Sequence, residues 1–185
     1  PVDHTDDLFG ANCDNPDTKT WKSGFSGSGA ALQKRDGTLV SSFVNRQADN
    51  SQHFYFFMSK DGGKNWYVSG NSGTDGADEP KTLERNNGDL AISVRSSGYN
   101  FHNYTSDEGE TWHLAPRTRF TTGISGNACD GEYMVWCSTL EGNPWNIALQ
   151  TLPNSGSRQN VSIALSTDEG STFGTPKTIC PRGSA

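Results

Sequence analysis

Hydrophobic and polar residues alternate in short runs along the chain. Three such runs have the period of two that predicts β-strands, at residues 53–58, 99–104 and 161–165. Upstream of each run lies an Asp-Gly or Asn-Gly pair that predicts a hairpin, within residues 32–40, 83–91 and 128–135. No segment shows the apolar period of a helix, and Gly and Pro interrupt almost every segment. The pattern therefore predicts units of four short antiparallel strands.

A motif follows each of the three strands. Its pattern is Ser/Thr-x-Asp-x-Gly-x-Thr/Asn-aromatic, and it occupies residues 59–66, 105–112 and 166–173. The Asp side chain can accept backbone N–H groups inside a tight turn, and Gly supplies a positive φ. We expect the aromatic residue to pack between adjacent units. This explanation is structural, so Asp61, Asp107 and Asp168 are not candidates for catalysis.

A four-stranded unit that recurs along a chain is typical of a β-propeller blade. One blade cannot bury both of its faces, so neighbouring blades must stack on it. We therefore predict an all-β fold: a β-propeller of four-stranded antiparallel blades. The repeats run roughly over residues 27–70, 79–116 and 126–176.

Composition and charge limit the classes of partner. The formal net charge of −6 argues against nucleic acid or an anionic membrane, because both attract basic surfaces. The sequence has no apolar run long enough for a transmembrane helix. Of the four cysteines, Cys129 and Cys137 either face each other across a short hairpin or are free thiols, and the sequence leaves both alternatives open.

The three motifs resemble the Asp-boxes of sialidases, and three further segments share this resemblance. In residues 78–95, Glu79 precedes a strand, an Asn-Gly turn follows, and the next strand ends at Arg95. Residues 157–163 resemble the sialidase segment that places another arginine, here Arg158, just before a strand. Residues 176–185 resemble the segment that runs into the nucleophilic tyrosine of the family.

The resemblance implies a six-bladed catalytic propeller of which this chain looks like the central part, about half to two-thirds. It implies an exo-α-sialidase or trans-sialidase that retains the anomeric configuration. Arg95 and Arg158 would bind the substrate carboxylate, and Glu79 would take the proton of a tyrosine just beyond residue 185. We find no match in this chain for the first arginine of the family or for its acid/base aspartate.

The resemblance also sets the expected partners: sialylated glycans, and flanking segments or another chain that complete the propeller. We expect no cofactor and no metal, because His4, His53, His102 and His113 show no metal-ligand spacing. Trp145 and Tyr99 are weaker candidates for lining a sugar pocket. The cysteines, two glycosylation sequons and the substrate class favour a secreted or cell-surface protein.

Two other interpretations remain open from the sequence. A non-catalytic Asp-box propeller that binds glycans or proteins would explain the three motifs equally well. It would not explain the spacing of Glu79 and Arg95 or the position of Arg158. The chain is alternatively a small propeller of about four blades that has lost the tyrosine and is inactive.

Overall fold

The computed structural model describes residues 2–11, 13–69, 76, 78–96, 99–114, 130–155 and 159–181. It contains three antiparallel sheets, which we call blades 1, 2 and 3. Blade 1 comprises β1 (Ser23–Ser26), β2 (Leu32–Gln33), β3 (Leu39–Arg46), β4 (Gln52–Ser59) and β5 (Tyr67–Val68). Blade 2 comprises β6 (Asp78–Glu84), β7 (Leu90–Ser96), β8 (Tyr99–Thr105) and β9 (His113–Leu114). Blade 3 comprises β10 (Tyr133–Cys137), β11 (Ile147–Pro153), β12 (Val161–Ser166) and β13 (Lys177–Cys180).

The strand order confirms the predicted all-β blades. Each blade is a meander in which sequential strands pair, except that β1 and β2 both pair with β3. Blade 2 lies between blades 1 and 3, since its first strand β6 contacts β2 and β3 of blade 1 and β10 of blade 3. This is the arrangement of a propeller, in which the innermost strand of each blade lines the axis.

Apolar side chains fill the spaces between the blades. Between blades 1 and 2 a buried cluster joins β3 and β4 to β7 and β8, with members Val40, Phe54, Phe56, Met58, Leu90, Ile92, Val94 and Phe101. Between blades 2 and 3 a smaller cluster contains Leu83, Ala91, Tyr133 and Ala148. Each sheet therefore buries apolar side chains against the neighbouring blade, which a single sheet in water could not do.

The Asp-boxes form the predicted turns. In the second box, Asp107 accepts hydrogen bonds from the Thr111 backbone N–H at 2.9 Å and from the Thr105 hydroxyl at 2.7 Å. The hydrogen bonds from Thr111 and Thr105 lower the pKa of Asp107 to about 2. The carboxylate is therefore fully ionised and occupied within its own turn, which agrees with its exclusion from the candidate site.

The aromatic residue of an Asp-box packs on the preceding blade. Trp112 meets Phe54 edge-on with ring centroids 4.9 Å apart and lies 5.2 Å from Phe56. Phe173 packs on His102 of blade 2 with ring centroids 5.0 Å apart. The motif thus serves both as a turn and as a contact between blades.

A segment before the first strand covers part of blade 1. It contains a short helix, α1 (Thr5–Leu8), and a 3-10 helix, Pro16–Thr20. After α1, Phe9 packs on Phe43 and Phe57 at 5.5 and 5.7 Å. No helix among the described residues is long and apolar enough to cross a membrane.

One predicted hairpin has a different structure in its described part. Asp130 and Gly131 lead directly into β10, whose partner is β11, and the two strands are joined by a longer connection that contains a 3-10 helix, Thr139–Glu141. Residue 129 and those before it in the predicted hairpin lie outside the described residues. Cys129 is among them, while Cys137 is a free thiol whose Sγ lies 3.5 Å from the Trp145 carbonyl oxygen.

Candidate active site

Glu79 and Arg95 are neighbours in blade 2 although 16 residues separate them in the sequence. Strands β6 and β7 form a hairpin whose register pairs Asp78 with Arg95. The Arg95 guanidinium donates a hydrogen bond from Nη1 to Glu79 Oε2 at 2.7 Å. The structure therefore brings two of the three predicted site residues into direct contact.

A β-bulge gives Glu79 its position. Asp78 pairs with Arg95 and Lys81 pairs with Ser93, so Glu79 and Pro80 together face one residue of β7. Glu79 has a φ of 45°, in the left-handed region that non-glycine residues seldom adopt. Its backbone N–H donates to Asp78 Oδ1 at 2.9 Å. Bulges of this kind are frequent beside active sites, where they redirect a side chain out of the ladder.

The pair is accessible from solvent. The side chains of Arg95 and Glu79 are 30% and 26% exposed, so both are reachable without any rearrangement of the core. Asp78 adds a second carboxylate, with Oδ2 3.9 Å from Arg95 Nη1. A carboxylate ligand approaching Arg95 would meet these two acids, and only a further positive group would offset their charge.

This group of side chains lies at the end of blade 2 away from the Asp-box. Strand β6 begins and β7 ends there, whereas Glu84, Leu90 and Thr105 meet at the opposite end, where the Asp-box follows. Trp145 lies in the β10–β11 connection, which is at that opposite end. At the start of this connection, Ser138 donates a hydrogen bond to Asn86 in the β6–β7 turn. Trp145 is therefore remote from Glu79, and of Tyr99 only the backbone is described.

Arg158, the third predicted site residue, lies outside the described residues. The strands that precede and follow it in the sequence are described: β11 ends at Pro153, and β12 begins at Val161, which pairs with Pro153. Their junction is at the end of blade 3 remote from its Asp-box, the same end at which Glu79 and Arg95 lie in blade 2. Its role as a carboxylate ligand stays a prediction.

A buried polar group lies two residues after Glu79 and was not predicted from the sequence. Lys81 is 3% exposed, and its Nζ donates to Asp130 Oδ1 at 2.5 Å and to Ser28 Oγ at 2.6 Å. Ser28 in turn donates to Asp130 Oδ2 at 2.8 Å. The three residues come from three different blades, so no local pattern links them. The sequence therefore carries no signal for this group.

A separate cavity of about 340 Å³ opens between the innermost strands. Its lining includes Leu32 of blade 1, Glu84 of blade 2 and Met134 of blade 3. Neither Glu79 nor Arg95 lines this cavity, which lies nearer the Asp-box end of the blades. Among the residues that the structure describes, no group of three His, Cys, Asp or Glu side chains could hold a metal ion.

Comparison with known proteins supports the architecture. The family model of the BNR repeat-like domain matches residues 14–183. No curated protein sequence matches the chain. Among solved structures, the Hadza microbial sialidase Hz136 superposes with a TM-score of 0.76 at 24% identity, over 94% of this chain and 32% of that one.

Two further sialidases share the fold. Trypanosoma rangeli sialidase in complex with 2,3-difluorosialic acid, a covalent intermediate, matches with a TM-score of 0.66 at 23% identity, over 80% of this chain and 24% of that one. The NanB sialidase of Streptococcus pneumoniae matches with a TM-score of 0.63 at 17% identity, over 85% of this chain and 24% of that one. The chain thus spans about a quarter to a third of the length of these structures. Since the family model covers nearly all of its residues, the chain belongs to the BNR repeat-like domain family, and its three blades have the fold of a sialidase β-propeller.

Proposed function

We propose that this chain contributes to the active site of a retaining exo-α-sialidase, in which Arg95 and Arg158 bind the substrate carboxylate and Glu79 activates a tyrosine nucleophile. The observation that supports the proposal best is the contact between Glu79 and Arg95, formed on a bulge at the end of the blade away from the Asp-boxes. The non-catalytic alternative gives no reason for a partly exposed glutamate at positive φ in contact with an arginine there.

The charge of the substrate explains the need for arginines. Sialic acid carries a carboxylate on its anomeric carbon, and a guanidinium binds a carboxylate through two parallel hydrogen bonds. In the absence of substrate, Glu79 provides a carboxylate partner for Arg95. A bound substrate would share Arg95 with Glu79, so the same guanidinium would orient both the anionic sugar and the base.

The tyrosine nucleophile explains the need for Glu79. A phenol has a pKa of about 10 and is a weak nucleophile at neutral pH. A carboxylate that accepts its proton makes it reactive, as in other base-activated nucleophiles. As the phenol attacks the anomeric carbon, its proton passes to Glu79 and the glycosidic bond breaks. The aglycone leaves with a proton from the acid/base aspartate of the family, for which this chain has no match. Water or a second sugar releases the product with retention, which corresponds to hydrolysis or transfer.

The related structures are consistent with this chemistry. One Trypanosoma rangeli sialidase structure contains sialic acid, another contains a covalent intermediate, and a mutant of that sialidase displays trans-sialidase activity. By analogy we propose sialylated glycoproteins and glycolipids as substrates. Because such glycans lie on cell surfaces and secreted proteins, we also propose that this protein acts there.

Release of a fluorophore from a sialic acid glycoside tests the proposal, with the protein that contains this chain. We expect Arg95→Ala to abolish turnover. Arg35→Ala is the matched control, because Arg35 also contacts a glutamate, Glu84 at 3.3 Å, but at the Asp-box end. Turnover that survives in Arg95→Ala would contradict the proposal. Sialoside binding without turnover in the wild type would favour the glycan-binding module instead.

A further inference from the structure

We propose that Lys81 is a positioning residue that holds the Glu79 bulge in place through Asp130 and Ser28. The inference rests on the function proposed for Glu79 and extends it to a residue that does not touch the substrate. Lys81 follows Glu79 by two positions and is the residue at which regular pairing with β7 resumes.

The contacts of Lys81 join all three blades. Its Nζ donates to Asp130, which lies just before β10 of blade 3, and to Ser28, which lies between β1 and β2 of blade 1. The bond from Ser28 to Asp130 closes the group into a triangle. Gly29 leaves room for the lysine stem, because a Cβ there would lie 2.4 Å from Lys81 Cδ. A displacement of Lys81 would therefore disturb hydrogen bonds in two neighbouring blades.

The backbone between Glu79 and Lys81 is fixed from blade 1 as well. The Ser42 hydroxyl donates to the Pro80 carbonyl oxygen at 3.1 Å. A Cβ at Gly27 would lie 2.7 Å from that oxygen, so blade 1 approaches the bulge closely. A residue at positive φ persists only where its surroundings determine its conformation. Lys81 and Pro80 supply that constraint on one side of Glu79, and Arg95 holds its side chain.

Lys81 and Asp130 differ in burial, and this difference determines which of the two should be replaced. Replacing Asp130 would leave the Lys81 ammonium buried without its partner, a change that commonly unfolds a protein. Lys81→Met keeps the length and volume of the side chain and leaves Asp130, which is 35% exposed, able to bind water. Lys60→Met is the matched control: Lys60 also joins two blades, through Glu108 at 2.9 Å, but at the first Asp-box.

The first experiment is a kinetic double-mutant cycle with Glu79→Gln on a fluorogenic sialoside. We expect Lys81→Met to lower kcat on the order of 100-fold with little change in KM, because a misplacement of about 1 Å is enough for a loss of that size. It should also change the pH profile of kcat, and Lys60→Met should do neither. In the Glu79→Gln background, Lys81→Met should have almost no further effect on kcat. An equal loss of kcat in both backgrounds would overturn the proposal.

A crystal structure of the Lys81→Met variant provides a readout that does not depend on activity. We expect residue 79 to leave its left-handed conformation and its 2.7 Å contact with Arg95. If both are retained, the positioning role is wrong, whatever the kinetics show. A wild-type protein that turns over no sialoside would refute the proposed function, and the crystal structure would still decide whether Lys81 holds the bulge.

Discussion

Arg95 donates a hydrogen bond of 2.7 Å to Glu79 at the point where the β6–β7 ladder is interrupted by a bulge. The register of the hairpin aligns Arg95 with Asp78, and the bulge then directs the next residue towards the guanidinium. A regular ladder would have placed Glu79 on the face of the sheet opposite to Asp78. The contact therefore depends on one irregularity in an otherwise regular hairpin.

The first prediction separates the two carboxylates beside Arg95. Glu79→Gln keeps an oxygen that can accept from Arg95 but cannot take a proton, so we expect kcat to fall by about 10²- to 10⁴-fold. Asp78→Asn is the control, because its amide oxygen can still accept the Glu79 N–H; we expect a loss of kcat below about tenfold. Steady-state kinetics on a fluorogenic sialoside give both values. A larger loss in Asp78→Asn than in Glu79→Gln would assign the base to Asp78.

The second prediction concerns His102, which is buried between blades 2 and 3 beside Gln150 at 3.3 Å. Burial lowers the pKa of His102 to about 4, and the hydrogen bond to Gln150 opposes this shift. Unfolded histidine has a pKa of about 6.5, so between pH 4 and 6.5 the unfolded chain binds more protons than the folded one. Stability from this group is complete above pH 6.5 and decreases as the pH falls.

We expect the free energy of unfolding to drop by about 2 kcal/mol between pH 7.5 and 5 from His102 alone. Asp61 and Asp107, whose pKa values are about 2 in the folded protein, contribute little in that range because unfolded aspartate titrates near pH 4. Urea unfolding of the wild type and of His102→Gln at both pH values measures the difference. An equal pH dependence in the two proteins would show that His102 is not buried in its neutral form.

The sequence predicted the parts of this structure that local chemistry determines. Each Asp-box strand was predicted to within one residue at either end, since alternation of side chains and the turn motif are both short-range signals. Glu79 and Arg95 were identified through a resemblance, and the β6–β7 hairpin explains their contact. Alternation alone would not have predicted the contact, because a bulge shifts the register by one residue.

The parts that the sequence did not predict depend on contacts between blades. Asp130 was interpreted as a turn residue from its pairing with Gly131, but its carboxylate binds Lys81, 49 residues away, and Ser28, 102 residues away. Lys81 would ordinarily be assigned to an exposed position, because burial of a lysine requires a partner that only the tertiary structure supplies.

The third prediction compares two glycines at the same position of their Asp-boxes. Gly63 and Gly170 have φ values of 87° and 83°, so alanine is strained at both by about 1–2 kcal/mol. A Cβ at Gly63 would meet atoms no closer than 3.7 Å, whereas a Cβ at Gly170 would lie 1.8 Å from the Tyr133 hydroxyl oxygen. Tyr133 is 1% exposed and has no room to move away.

We therefore expect Gly170→Ala to lower the free energy of unfolding by about 1–3 kcal/mol more than Gly63→Ala does. Thermal and urea unfolding of the two variants give the difference directly, and the shared strain at positive φ cancels. Equal losses in the two variants would mean that the third Asp-box does not pack against Tyr133 as closely as the structure describes.

The last prediction tests whether the Asp-box aromatic stabilises the contact between blades. Trp112 is half-buried against Phe54 and Phe56, so Trp112→Ala removes an edge-to-face contact and leaves a cavity beside blade 1. We expect a loss of about 3 kcal/mol in the free energy of unfolding. Trp145→Ala is the control, because its side chain is 65% exposed and its removal should cost less than about 0.5 kcal/mol. If the two losses are similar, the motif contributes only its turn, and the cohesion of blades 1 and 2 comes entirely from the aliphatic and phenylalanine cluster between β4 and β7.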